Sequence, residues 1–93
     1  MEMDIKHFVV HLEANGCHLH KSNVHPNGTR FIFRRDDDLR LARGAFSLDG
    51  KMLKSASICF VCQELCIPAP KLYEKEDQIL RAVKKMDFNV EEE

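Results

Sequence analysis

Between residues 17 and 54 the chain gathers the side chains best suited to chemistry on an anion. Eight basic residues (Lys21, Arg30, Arg34, Arg35, Arg40, Arg43, Lys51 and Lys54) stand against four Asp, a net of +4, and the same stretch holds His18, His20 and His25. Imidazoles change charge near physiological pH, so a basic segment that also carries three of them is where an anion or phosphate is drawn. Arg30, Arg34, Arg40 and Lys54 are the candidate phosphate-binding residues. Double-stranded RNA is recognised chiefly through phosphates and 2′-hydroxyls, which asks for cations on a rigid scaffold more than for aromatic platforms. A helix starting near Ser55 would add backbone N–H donors. The competing reading is a solvated surface on which Asp36, Asp37 and Asp38 neutralise the nearby arginines.

The cysteines offer a second kind of chemistry. Cys59, Cys62 and Cys66 fall at helical spacing, with Cys17 elsewhere, which raises a metal site with His18 or His20 as further ligands. A structural zinc site needs a second paired ligand set, and none is present. Free Cys packs as a small hydrophobe, so these thiols are assigned to the core and no metal or cofactor is expected. Phe31, Phe33 and Phe60 are assigned to the core as well. No Gly-rich phosphate loop, paired-carboxylate arrangement or Ser-His-Asp pattern can be argued from the spacings.

These residues need elements to hold them. Ile5, Phe8, Val9 and Leu12 form one helical stripe, with Asp4 as N-cap and Asn15-Gly16 as stop, predicting a helix over 4–14. Cys17 to His20 alternates with period two, and His25-Pro26-Asn27-Gly28 is turn chemistry. Thr29 to Arg35 reads as a strand with Phe31 and Phe33 on one side and Arg30, Ile32 and Arg34 on the other. After the turn at Asp36-Asp37-Asp38, Leu39 to Leu48 supplies a third strand, with Leu39 and Leu41 sharing a face and Gly44 marking a bulge or the point where the alternation shifts. Asp49-Gly50 closes the meander. Met52 to Ile67, apolar nearly all round and ended by Pro68-Ala69-Pro70, predicts a buried helix. Lys71 to Met86, with Leu72, Ile79, Leu80, Val83 and Met86 on one stripe, predicts a further amphipathic helix. The fold class is therefore α+β: an α-β-β-β-α domain with a three-stranded antiparallel sheet, plus a C-terminal helix.

The totals bound what such a chain can be. Ninety-three residues, 44% hydrophobic and 31% charged, suit one domain with a modest core and argue against disorder. The formal charge of −1 hides an asymmetry: residues 1–16 carry −2 and residues 55–93 carry −3 around the basic middle. No apolar run approaches the ~20 residues that span a bilayer. The opening Met-Glu-Met-Asp carries no export signal, so the chain is expected in the cytoplasm with reduced thiols.

One stretch is familiar. Met52-Leu53-Lys54-Ser55-Ala56-Ser57-Ile58, then Phe60-Val61 and the ending Leu65-Cys66-Ile67, resembles the closing segment of HicA-type mRNA interferase toxins. That family shows an acidic-Leu-Lys-Pro-Gly-Thr-Leu start, a hydrophobic helix and a Gly-Ile end, so Ser55 and Ala56 stand where it prefers Pro and Gly. Leu12-Glu13-Ala14-Asn15-Gly16 is similar to its Leu-x-x-Asn-Gly helix ending, and Gly28-Thr29-Arg30 with the following Phe31-Ile32-Phe33-Arg34 to its Gly-Ser-His strand. The resemblance covers residues 4–67 of a single domain spanning 1–93, leaving a helical extension over 71–86 and an acidic tail over 87–93. It implies a fold like that of double-stranded RNA-binding domains, an RNA surface, and a cognate antitoxin as partner. It also implies a missing catalyst, because Arg30 stands where the family has its catalytic His. Arg cannot act as general base. Catalysis would require a neighbouring imidazole, with His20 on the facing strand and His25 in the hairpin turn as candidates; otherwise the chain is catalytically silent. The alternative function is a non-catalytic protein-interaction or homodimerisation module, suggested by the helix apolar on nearly every side and by the terminal helix.

Overall fold

A computed structural model describes the backbone of residues 2–92 and the side chains of residues 2–83. Met86 and the acidic tail over 87–93 therefore lie outside the described side chains. The elements are β1 (Glu2–Asp4), α1 (Ile5–Ala14), β2 (Cys17–His25), β3 (Gly28–Arg35), β4 (Ala42–Ser47), β5 (Met52–Lys54) and α2 (Ser55–Glu64). A 3-10 turn (Lys71–Tyr73) then leads into α3 (Glu74–Glu92). The architecture is the expected α+β one: an antiparallel sheet ordered β2-β3-β4, with helices and a C-terminal helix. No described helix is long and apolar enough to cross a membrane.

α1 forms where its stripe requires. Phe8 and Leu12 are buried, and the Asp4 carboxylate caps the helix by accepting from Lys6 N at 2.7 Å. Period-two alternation then makes the sheet two-faced. Phe31 and Phe33 of β3, Cys17 of β2 and Ala45 of β4 are buried with Ile58, Val61 and Cys62 of α2. Phe8 meets Phe33 edge-on with ring centroids 5.2 Å apart.

Several expectations are corrected. Met52–Lys54 is not the first turn of the second helix but a strand, paired antiparallel with β1 through Glu2↔Lys54, Met3↔Leu53 and Asp4↔Met52. Three residues are too few to display an alternation, and the strand is set by the preceding turn. Asp49 Oδ1 accepts from Lys51 N and Met52 N at 2.8 and 2.9 Å, while Ser47 donates to the Met52 carbonyl at 2.6 Å. The third strand starts at Ala42, not Leu39: Leu39 lies exposed in the turn, and Leu41 alone of the two packs on the core. Gly44 marks no bulge, since β3 and β4 pair without a shift from Thr29↔Ser47 to Arg34↔Ala42. The irregularity is at His20 in β2, the extra residue between Leu19↔Phe33 and Lys21↔Ile32. Gly28, whose φ is +151°, is required at the hairpin because a Cβ there would stand 2.4 Å from the Ser47 carbonyl oxygen and 2.7 Å from the Phe46 ring.

On the helical side, Phe60 is 42% exposed, since sheet and α3 cover the other sides of α2. Cys17, Cys59 and Cys62 are buried, and burial pushes the Cys59 and Cys62 thiols up to about 11 and about 12. Cys66 is exposed just past the end of α2. The last helix begins at Glu74. Leu72, in the 3-10 turn before it, is 75% exposed, and Tyr73 takes the core position instead. Of the expected stripe Leu80 packs on the core, whereas Ile79 and Val83 remain 57% and 48% exposed. Asp77 is buried against Arg81, at 3.0 Å, and Arg81 in turn donates to the Ile67 carbonyl.

The end of α2 carries a conformational cost. Cys66 N donates to the Gln63 carbonyl and Ile67 N to the Cys62 carbonyl, the two bonds of a Schellman cap, with Cys66 in the left-handed region at φ 61°. A Cβ is disfavoured there. Cys66→Gly is therefore expected to raise stability by about 1 kcal/mol, read from the denaturant midpoint; an unchanged or lowered midpoint contradicts this account of the cap.

Candidate nucleic-acid interface

With Phe31 and Phe33 turned inward, Arg30, Ile32 and Arg34 of β3 face away from the helices. Their register partners complete the surface: His18, Lys21 and Asn23 on β2, and Ala42, Gly44 and Phe46 on β4. At Gly44 a Cβ would crowd the Phe31 carbonyl oxygen at 3.2 Å, while meeting Arg30 Nη1 and Ile32 Cγ1 only at ordinary contact, 3.9 Å. The bulge decides which β2 residues take part. A one-residue insertion reverses the alternation, so even-numbered His18 shares a face with odd-numbered Lys21 and Asn23.

The acidic turn shapes the electrostatics. Each of its three carboxylates is engaged. Asp36 pairs with His18 Nδ1 at 2.5 Å, Asp37 takes a bidentate grip from Arg35 at 2.8 and 2.9 Å, and Asp38 faces Arg40 at 3.6 Å. Arg35 also donates to the Leu65 carbonyl at 2.7 Å, tying the turn to the C-terminal end of α2, where a cation suits the helix dipole. The Arg35 hydrogen bond holds the Asp37 carboxyl below its usual value. Neutralisation is therefore real for Arg35 and Arg40. It does not extend to Arg30 and Arg34, which have no ion-pair partner among the described residues. The Arg34 Nε is buried without a hydrogen-bond partner.

The sequence-derived site residues divide into groups. Arg30 and Arg34 lie on the outer face. His25 stands at its hairpin end, opposite Gly28 and diagonal to Arg30. His20 is exposed at the bulge, its ring 6.1 Å from that of His18. His20 and His25 are about 16 Å apart along the strand; one phosphodiester cannot be reached by both. Arg40 sits in the β3–β4 turn, engaged with Asp38. Lys54 and Ser55 stand at the β5–α2 junction, where Lys54 is the N-cap and makes no side-chain capping bond. Lys54 shares a cleft of about 330 Å³ with Glu2, Phe46, Leu48, Asp49 and Met52. Because Phe46 is the register partner of Arg30, one aromatic ring separates that cleft from the Arg30 end of the face.

No protein-family model, curated protein or solved structure matches this chain. Sequence reasoning passed over three contributors as site residues: His18, Asp36 and Phe46. The alternation of His18 with His20 was a usable signal for the first. Nothing local could pair His18 with Asp36, eighteen residues away, before the hairpin register was known.

The Arg35–Asp37 grip makes a pH prediction. A carboxyl held low in the folded state stabilises the fold above its unfolded value, 3.8, and that contribution is lost as pH falls through the folded value. Thermal melts should therefore show the native chain losing more stability than Asp37→Asn as pH drops below about 4. Parallel acid limbs for the two proteins refute the assignment.

Proposed function

We propose that this protein is a small RNA-binding domain, HicA-like in organisation, whose outer sheet face takes backbone phosphates. The observation that carries the reading is the pair Arg30 and Arg34, alternate residues of one strand, the first exposed and the second half-buried, neither with an ion-pair partner among the described residues, while every carboxylate of the adjoining turn is engaged. Arg presents a planar fork of donors suited to phosphate, and strand spacing holds two such forks at fixed separation. Lys21 adds a third cation to the face, and Lys54 borders it across Phe46. Arg30 serves here as a phosphate ligand and not as a catalyst. By the same resemblance, a cognate antitoxin protein would cover this basic face.

Binding driven by phosphates releases counterions, so affinity must fall steeply with salt. For a double-stranded RNA probe, the Arg30→Ala, Arg34→Ala double variant should weaken binding at every sequence and reduce the slope of log K against log salt by about 2. A slope unaltered by the double substitution, or affinity no better than that of an unrelated protein of the same charge, sinks the reading.

A second reading, self-association, is favoured by Ile79 and Val83, exposed beside Ala56 and Cys59 in a groove between α2 and α3. An exposed apolar groove of this kind suits a second copy of the chain. Sedimentation should then show an average mass that rises with concentration for the native chain and stays monomeric for Ile79→Lys. A constant monomer mass for the native chain removes the homodimer.

A further inference from the structure

His18 and His20 are more than additional positive charge. The His18 Nδ1 lies against the Asp36 carboxylate at 2.5 Å, and Asp36 is itself fixed by a backbone bond from its N–H to the Gly16 carbonyl at 2.9 Å. A carboxylate on Nδ1 holds an imidazole in one tautomer and orientation, leaving Nε2 with its lone pair free to take a proton. The second imidazole is supplied by the β-bulge. His20 is the inserted residue, its ring stands at 70° to that of His18, and the centroids are 6.1 Å apart. Bulges re-aim side chains in this way. Two imidazoles at that separation can each reach an oxygen of one phosphodiester at about 3 Å. Opposite His18 in register is Arg34, with no ion-pair partner among the described residues, and Lys21 follows on the same strand.

We propose that His18, positioned by Asp36, and His20 form an acid–base pair that cleaves RNA on this face. The inference rests on the RNA-binding reading and deepens it. RNA is the fitting substrate because its 2′-hydroxyl is a built-in nucleophile, so the reaction requires proton transfers and charge stabilisation and no further reactant. His18 Nε2 takes the 2′-hydroxyl proton as O2′ bonds to the adjacent phosphorus. The P–O5′ bond breaks, and O5′ leaves with the proton of the His20 imidazolium. The products are a 2′,3′-cyclic phosphate and a 5′-hydroxyl end. His18 has gained one proton and His20 has lost one, and solvent restores both. Arg34 neutralises the charge that develops on the phosphoryl oxygens. The pair lies about 13 Å along β3 from Arg30, the position at which the family resemblance places its catalyst.

The experiment uses an RNA hairpin and the same hairpin made wholly of 2′-deoxy residues, each assayed for binding and for cutting. The native chain should cut only the ribose hairpin, leaving the cyclic phosphate. His18→Asn and His20→Asn should each slow cutting at least about 100-fold in single turnovers run with protein in saturating excess over the hairpin. Asp36→Asn, a change at a positioning residue, should lower kcat and leave KM in place. Binding of the ribose hairpin without cutting, cutting undiminished in either His variant, or equal cutting of the deoxy hairpin overturns the pair and leaves the binding reading standing. Failure to bind the ribose hairpin at all removes both.

Discussion

Phe31 and Phe33 are the hinge of the whole arrangement. Their burial against Phe8 and the apolar residues of α2 gathers the helices that cover the sheet onto one side. Because a strand alternates, sealing those two rings inside compels Arg30, Ile32 and Arg34 to face the other way. The hydrophobic core and the basic surface are thus two consequences of one constraint on β3. Neither can be altered in register without destroying the other.

The acidic turn between β3 and β4 organises what that constraint exposes. Asp37 grips Arg35, which reaches on to the end of α2, so one carboxylate contributes to holding sheet and helix together. Asp38 turns to Arg40 within the turn itself. Asp36 reaches across the hairpin to His18, where it orients an imidazole and leaves the outward arginines alone. Three adjacent residues of one type therefore serve three ends, separated only by the directions in which the turn points them.

Much of this was legible in the chain. The stripe Ile5, Phe8, Leu12 and its Asp4 cap were readable because helical period and capping are local, and the faces of β3 were readable because alternation is local. Met52–Lys54 was not, since a three-residue strand has no pattern of its own and exists through β1, fifty residues earlier. Nor was the burial of Tyr73 in place of Leu72, which follows from where a 3-10 turn hands over to α3. At the site, Arg30 and Arg34 were found by composition and strand parity. His25 was grouped with His20 because both are imidazoles neighbouring Arg30, where the resemblance places a catalytic His, but distance along an extended strand sets them apart.

What the sequence determined by itself is the α+β class, the inward aromatic pair and the two outward arginines, all products of local periodicity. What only the tertiary structure decided is which imidazole stands where. Counted outward from the Pro26-Asn27 turn without an insertion, His18 would oppose Arg35 and point into the core. The bulge at His20 moves it opposite Arg34, onto the basic face and within reach of Asp36. That one-residue shift has no local signature in the chain. It is set by the need to bury Cys17 and Leu19 beside Phe33 at one end of the strand pair while keeping the Gly28 hairpin at the other.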